Sequence, residues 1–226
     1  MVSLRERVVN AVIRALIKIA FRLEASDLAK LPQAGPGLLV ANHTSYLEGP
    51  IIYVLIRPRQ ITAIAKRELW SNPLTRFFMN TWHIIPISRG RVDSAAMQAA
   101  LQTLEEGRYL GIAAEGTRSK TGKLGKGHPG ATFLATAKNV PIYPVAQWGL
   151  ADLGENLKRL RRTPLTIRVG APFHLRKPDN SPITSRDRRK MIDEIMYQLA
   201  LLMPEELRGH YTDLSQLTTE YLDFRS

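Results

Sequence analysis

Four short apolar runs, each ending abruptly in chemically active side chains, constrain this chain more than anything else in it. Leu38-Leu39-Val40 leads into Asn42-His43-Thr44-Ser45-Tyr46-Leu47-Glu48. Residues 61–65 lead into Lys66, 84–87 into Ser88-Arg89-Gly90-Arg91, and 110–114 into Glu115-Gly116-Thr117-Arg118. Runs this short read as buried strands, and the stretches between them carry helical spacing near 46–56, 73–82, 93–106 and 129–138. Further strands are expected near 141–147 and 165–170, and a later helix over 184–203. The alternation predicts an α/β fold, a central mixed sheet flanked by helices. If the four runs are neighbouring strands pointing one way, a base, carboxylates and cations meet at one sheet edge. Open α/β sheets bind ligands outside the carboxyl ends of their strands. A base beside a cationic cradle suits a substrate that carries both an alcohol and a phosphate.

The ends of the chain read differently. Residues 3–24 have the spacing of one helix. At about 100° per residue, Arg7, Arg14, Lys18 and Arg22 form a narrow stripe, and Val8, Val9, Val12, Ile13, Leu16, Ile17, Ile19, Ala20 and Leu23 cover the opposite half. A wide apolar face beside a basic stripe is how a helix lies in a membrane interface, although the same face can pack on the domain. No apolar stretch reaches the ~20 residues a span needs, so a peripheral or monotopic placement is expected. The organisation expected is an amphipathic membrane-associating helix over 1–30, an α/β domain over 31–208 opened by the Pro/Gly-rich 31–37, and a peripheral appendage over 209–226.

Composition narrows the partners. The formal net charge is +12 and the pI about 10.2, which favours anionic ligands such as nucleic acid, an anionic membrane or phosphorylated molecules. Nothing resembles a helix-turn-helix, an RNP strand or a Cys/His finger, so nucleic acid is not expected. There is no cysteine, which excludes disulfides and thiolate zinc sites and fits a reducing cytosol. His83 and His128 lack spaced acidic partners, and no metal site is expected. Charge runs at Lys120, Lys123 and Lys126, and at Lys158, Arg159, Arg161 and Arg162, are either solvated faces or sites for headgroups and polyanionic donors.

Among the candidate site residues, His43 can act as a general base, since an imidazole is largely neutral at pH 7. Glu48 has two readings. It can pair with the imidazole, or it can close a helix capping box with Ser45. Five positions correspond to about 140° on a regular helix, so the pairing requires His43 to lie before the helix. Arg89, Arg118 and, more weakly, Arg91 can grip phosphate oxygens in bidentate geometry. Lys66 can hold a developing oxyanion or simply face solvent.

The same blocks resemble those of the glycerolipid acyltransferases, typified by lysophosphatidic acid acyltransferase. That family shows Asn-His, four residues and an acid; an Arg-bearing block; Pro-Glu-Gly-Thr-Arg-Ser; and Val-Pro-Ile-x-Pro-Val. Here they stand as Asn42-His43 through Glu48, Ile87-Ser88-Arg89-Gly90, Ala114 through Ser119, and Val140-Pro141-Ile142-Tyr143-Pro144-Val145. The usual acid is Asp, so Glu48 lengthens that arm by one methylene, and Ala114 replaces a Pro. The resemblance covers residues 37–148. It implies acyl transfer from acyl-CoA or an acyl-carrier protein to the free hydroxyl of a 1-acylglycerol-3-phosphate, with no bound cofactor, at the cytoplasmic face of a membrane. It further implies His43, Glu48 and Lys66 as catalytic residues, and Asn42, Arg89, Gly90, Glu115, Gly116, Thr117 and Arg118 as substrate contacts. Other readings are another lysophospholipid or hydroxylated lipid as acceptor, or a lipid-binding module with weak catalysis.

Overall fold

The computed structural model describes residues 3–88, 90, 93–179 and 181–224. Helix α1 (Leu4–Ala20) passes directly into strand β1 (Phe21–Glu24). There follow β2 (Gly37–Ala41), α2 (Glu48–Ile56), β3 (Ile61–Lys66), α3 (Pro73–Thr81), β4 (Ile85–Ile87), α4 (Ser94–Glu105) and β5 (Tyr109–Ala113). The second half adds α5 (Gly130–Lys138), β6 (Ile142–Trp148), α6 (Leu153–Lys158), β7 (Thr163–Val169), β8 (His174–Leu175), α7 (Ser185–Leu201) and β9 (Leu222–Asp223).

Strands β1 to β7 form one sheet in the order β1-β7-β6-β2-β5-β3-β4. From β6 to β4 every pairing is parallel, with Ala41 opposite Ala113, Ala63 opposite Gly111 and Lys66 opposite Ile87. Strand β7 runs antiparallel to β6, and β1 is parallel to β7, which makes the sheet mixed. The four runs that end in polar blocks are therefore adjacent and co-directional.

Side chains along a strand alternate between the faces of a sheet, and each face carries its own core. Leu38, Val40, Leu110, Ile142 and Ala146 pack with α4, α5 and α7. Leu39, Tyr109, Tyr143, Val145, Leu165 and Ile167 pack with α1 and α2, and with Trp82 just beyond α3. Pro144 sits in an interior strand despite having no N–H to give a ladder. The position tolerates it because β7 has ended there: its pairing stops at Val169, and Gly170 N–H donates to the Pro144 carbonyl (2.9 Å).

Two terminal segments differ from expectation. The helix expected over 3–24 ends at Ala20, and Phe21–Glu24 is a sheet strand. Four residues are too few for helical and strand periodicities to be told apart, and the open edge of β7 offers the backbone a ladder. The tail does more than lie on the surface. Tyr211 and Tyr221 are buried, β9 pairs with β8, and buried Glu194 of α7 accepts from the amides of Glu220 (2.8 Å) and Tyr221 (2.9 Å).

Helix α1 is turned in an unusual way. Its inward side carries polar Glu6 and Asn10 together with Ile17, all buried. Glu6 accepts from Tyr53 (2.9 Å) and pairs with Arg57, while Asn10 accepts from Trp82 Nε1 (2.9 Å). Its outward side leaves Leu4 (75%), Val8 (55%), Val12 (54%), Leu16 (57%) and Ile19 (71%) in contact with solvent. Among the described residues no helix is long and apolar enough to cross a membrane.

Candidate active site

Strand β2 delivers Asn42 and His43 to the carboxyl edge of the sheet. Asn42 is buried, and its side chain continues the β2–β6 ladder: Nδ2 donates to Gln147 O and Oδ1 accepts from Gln147 N, both at 2.8 Å. A carboxamide has the donor and acceptor of a peptide group, so it stitches the strand ends together. Expected among the substrate contacts, Asn42 spends both polar groups on the frame around His43.

Helix α2 begins only at Glu48, later than the expected 46, and His43 and Thr44 form the loop before it. Glu48 is 1% exposed on its side chain. Its Oε2 lies 2.9 Å from His43 Nδ1 and accepts from Thr44 N (2.8 Å), and its Oε1 accepts from Thr44 Oγ1 (2.5 Å). The capping box with Ser45 does not form; Ser45 Oγ accepts weakly from Leu47 N (3.3 Å). A carboxylate at the first turn of a helix also lies at the favourable end of its dipole. With an ionised carboxylate, which only accepts, the neutral imidazole would carry its proton on Nδ1 and leave Nε2 a lone pair. The imidazole is partly exposed, 26% on its side chain.

A second buried carboxylate holds the main chain of the same residue. Glu115, at the end of β5, accepts His43 N–H on Oε1 and Gly125 N–H on Oε2, each at 2.8 Å. Burial pushes its pKa up, and the two amides oppose that rise. The expected substrate contact of Glu115 is replaced in these contacts by a hold on the backbone. The following turn folds back over the loop, with Ser119 N–H donating to His43 O (2.7 Å). Gly116 has φ +64, and a Cβ there would approach His128 to 3.1 Å.

Cations follow the ends of β5 and β3 at the same edge of the sheet. Arg118 stacks on Tyr46, with its guanidinium carbon 3.5 Å from the ring centroid and a hydrogen bond to the phenol (2.7 Å). Lys66 closes β3, and the next residue, Arg67, donates to Ser88 Oγ (3.0 Å) just past β4 and faces Asp93 (3.7 Å), the N-cap of α4. Gly90 has φ +81, and Thr117 is exposed with Arg118 beside it partly so. Arg89 and Arg91 lie outside the described residues. Thr44, Tyr46, Arg67 and Gly125 escaped the sequence reading. Thr44 and Tyr46 lie inside the His43–Glu48 block and could have been weighed. Gly125 becomes meaningful only in space, since a Cβ there would stand 2.8 Å from Glu115 Oε2.

Residues 22–148 match a family model described as Acyltransferase. A 1-acyl-sn-glycerol-3-phosphate acyltransferase of Bacillus subtilis (strain 168) is 23% identical over 186 residues, which is 82% of this chain and 90% of that protein. The 1-acyl-sn-glycerol-3-phosphate acyltransferase beta of Homo sapiens is 33% identical over 127 residues, 55% of this chain and 45% of that protein. This chain therefore spans less than half the length of the human relative. The crystal structure of the LPA acyltransferase PlsC from Thermotoga maritima shares the fold, with a TM-score of 0.58 at 21% identity, covering 95% of this chain and 84% of that one.

Glu115→Gln tests the buried hold on His43. Glutamine keeps one acceptor oxygen but turns an NH2 toward the other amide, so two donors face each other away from water. The expected outcome is a loss of about 1–3 kcal/mol in denaturant unfolding. Wild-type stability would mean that the two amides do not depend on the carboxylate.

Proposed function

Because the chain belongs to the acyltransferase family, we propose that it moves a fatty acyl group from an acyl thioester to the free hydroxyl of 1-acylglycerol-3-phosphate, giving phosphatidic acid. The observation that carries this reading is the Glu48–His43 pair, which leaves Nε2 free at the edge where β2, β5, β3 and β4 end together. His43 takes the proton of the acceptor hydroxyl as its oxygen attacks the thioester carbonyl. Glu48 steadies the imidazolium that forms. The tetrahedral intermediate collapses with cleavage of the carbon–sulfur bond, and the departing thiolate takes the proton back from His43. Lys66 and backbone amides are the candidates for stabilising the oxyanion.

The acceptor's phosphate falls to the cations of the same edge. Arg118 is held flat on Tyr46 with part of its fork free, a geometry suited to phosphate oxygens. Arg89 directly follows Ser88 in sequence and is assigned the same task. The donor is acyl-CoA or an acyl-carrier protein; both are polyanionic, and Lys120, Lys123 and Lys126 are exposed on the loop that follows Arg118.

We further assign the outward stripe of α1 to an anionic membrane surface, at the cytoplasmic face. Leu4, Val8, Val12 and Ile19 are exposed along the helix, and Arg7 and Lys18 are exposed beside them, while Arg14 on the same flank donates to Val54 O of α2 (2.9 Å). Insertion of the apolar side chains and attraction of the cations act together there.

His43→Ala is expected to abolish acyl transfer to lysophosphatidate while circular dichroism stays unchanged, since general-base help is worth about 10²–10⁴ in rate. A folded variant that turns over normally would overturn the mechanism. Arg118→Ala is expected to weaken lysophosphatidate about tenfold or more, in line with charge-assisted contacts, and a phosphate-free monoacylglycerol much less. Equal losses for both acceptors would remove Arg118 from phosphate recognition. Replacing Val8, Val12 and Ile19 together by Asp leaves Glu6 and Asn10 in place, so the helix should stay docked. In vesicle flotation the triple variant should no longer rise with anionic liposomes, yet should still acylate soluble short-chain substrates. High salt should weaken wild-type binding only in part, because salt screens the charges and not the apolar insertion.

A further inference from the structure

We propose that the C-terminal segment 203–224 is a strap that positions His43, acting through the loop 115–128, and that the Tyr211 hydroxyl is its fastening point. The inference rests on the reading of His43 as the base. Glu115 links two amides, His43 N on one oxygen and Gly125 N on the other, each at 2.8 Å. The first belongs to a strand end; the second belongs to a loop and is only as steady as that loop.

The strap fixes the loop on both sides of Gly125. Before it, the Leu124 main chain is clamped twice: its N–H donates to Leu207 O (2.8 Å), and its carbonyl accepts from His210 N (3.0 Å). After it, Gly127 N–H donates to Tyr211 Oη (3.1 Å), and Tyr211 Oη donates to Asp193 Oδ1 on α7 (2.9 Å). Leu124 and Tyr211 are each 2% exposed. The fit leaves no slack: a Cβ on Gly209 would stand 2.2 Å from Leu124 O, and one on Gly127 would stand 2.6 Å from Met196 on α7. In contrast, Lys120, Thr121 and Lys123 at the loop tip are exposed. With the Tyr211 hydroxyl gone, Gly127 N–H would be buried without its partner, Gly125 could drift, and Glu115 would lose one of the amides that aim it at His43. Misplacement of a reacting group by about 1 Å can cost about a hundredfold in rate, so a fastening far from the chemistry can be read in kcat.

The distal part of the strap supplies a matched control. Tyr221 is also buried, and its hydroxyl donates to Asp187 on α7 (2.9 Å). It ties the tail to α7 near the start of that helix, whereas Tyr211 ties it to the loop.

The experiment compares Tyr211→Phe with Tyr221→Phe in the full chain. Each loses one buried hydroxyl bonded to an Asp of α7, and Tyr211→Phe also strands Gly127 N–H, so its Tm is expected to fall further than that of Tyr221→Phe. Acyl transfer to lysophosphatidate from acyl-CoA gives kcat and KM, and hydrogen exchange reports protection of the peptide covering 115–128. Tyr211→Phe is expected to lower kcat about ten- to a hundredfold with KM nearly unchanged, and to lose protection around Gly125 and Gly127. Tyr221→Phe should keep both. Should Tyr211→Phe fail to fold, Asp193→Ala, which keeps the phenol but removes the acceptor that aims its hydroxyl at the loop, is read in the same way with a smaller expected loss. A wild-type kcat in Tyr211→Phe, or an equal loss in Tyr221→Phe, would overturn the strap as a positioning element. If the wild type transfers no acyl group to any lysophospholipid, the functional reading fails instead. The exchange arm then still decides whether the Tyr211 hydroxyl fastens the loop.

Discussion

Residue 43 is held by two buried carboxylates that grip different parts of it. Glu48 takes the imidazole and Glu115 takes the main-chain amide. Removing a carboxylate from water costs several kcal/mol unless donors replace the lost hydration. Here each acid is surrounded by donors that the local chain supplies: Thr44 N and Oγ1 for Glu48, Gly125 N for Glu115. The result is a loop of small length whose ring and backbone cannot be displaced independently. Everything that meets this loop, from the Asn42 stitch to β6 to the Ser119 turn above it, keeps the same register.

The extra methylene of Glu48 finds a use in that arrangement. The longer arm reaches from the first residue of α2 back across Thr44 to His43, and bonds to main chain, hydroxyl and imidazole on the way. A helix start that would otherwise have been closed by a capping box is closed by a carboxylate that also orients the ring. The same economy appears in α1. Glu6 and Asn10 point into the protein beside Ile17, where Tyr53, Arg57 and Trp82 meet them, while Leu4, Val8, Val12, Leu16 and Ile19 point out. Burying Glu6 and Asn10 is tolerable because each is hydrogen-bonded. The outward stripe is then free for a lipid surface without weakening the attachment of the helix.

The four polar blocks were legible because strand-like runs of a few apolar residues are hard to mistake when reactive side chains come immediately after them. Their adjacency was an assumption at that level, and the order β2-β5-β3-β4 supports it. The roles of single residues were less legible. Asn42 and Glu115 read as substrate contacts because the family resemblance implied it; in the structure their polar groups bond Gln147, His43 and Gly125. The strand Phe21–Glu24 and the integration of the tail were also hidden. A four-residue segment has no usable period, and Tyr211 and Tyr221 stand among polar neighbours with no pattern to mark them as core.

The sequence by itself determined the α/β class, the strands that carry the chemistry and the amphipathic start of the chain, and it narrowed Glu48 to two roles between which the structure chose. These are local properties, set by the spacing of apolar residues and by the identity of the side chains at the end of each run. Tertiary structure alone decided which polar groups remain free to act. A carboxylate or amide at a strand end can face a substrate or a neighbouring backbone, and that choice depends on which amides lie within about 3 Å. It also decided which half of α1 faces outward, because the partners of Glu6 and Asn10 come from helices and turns distant in the chain.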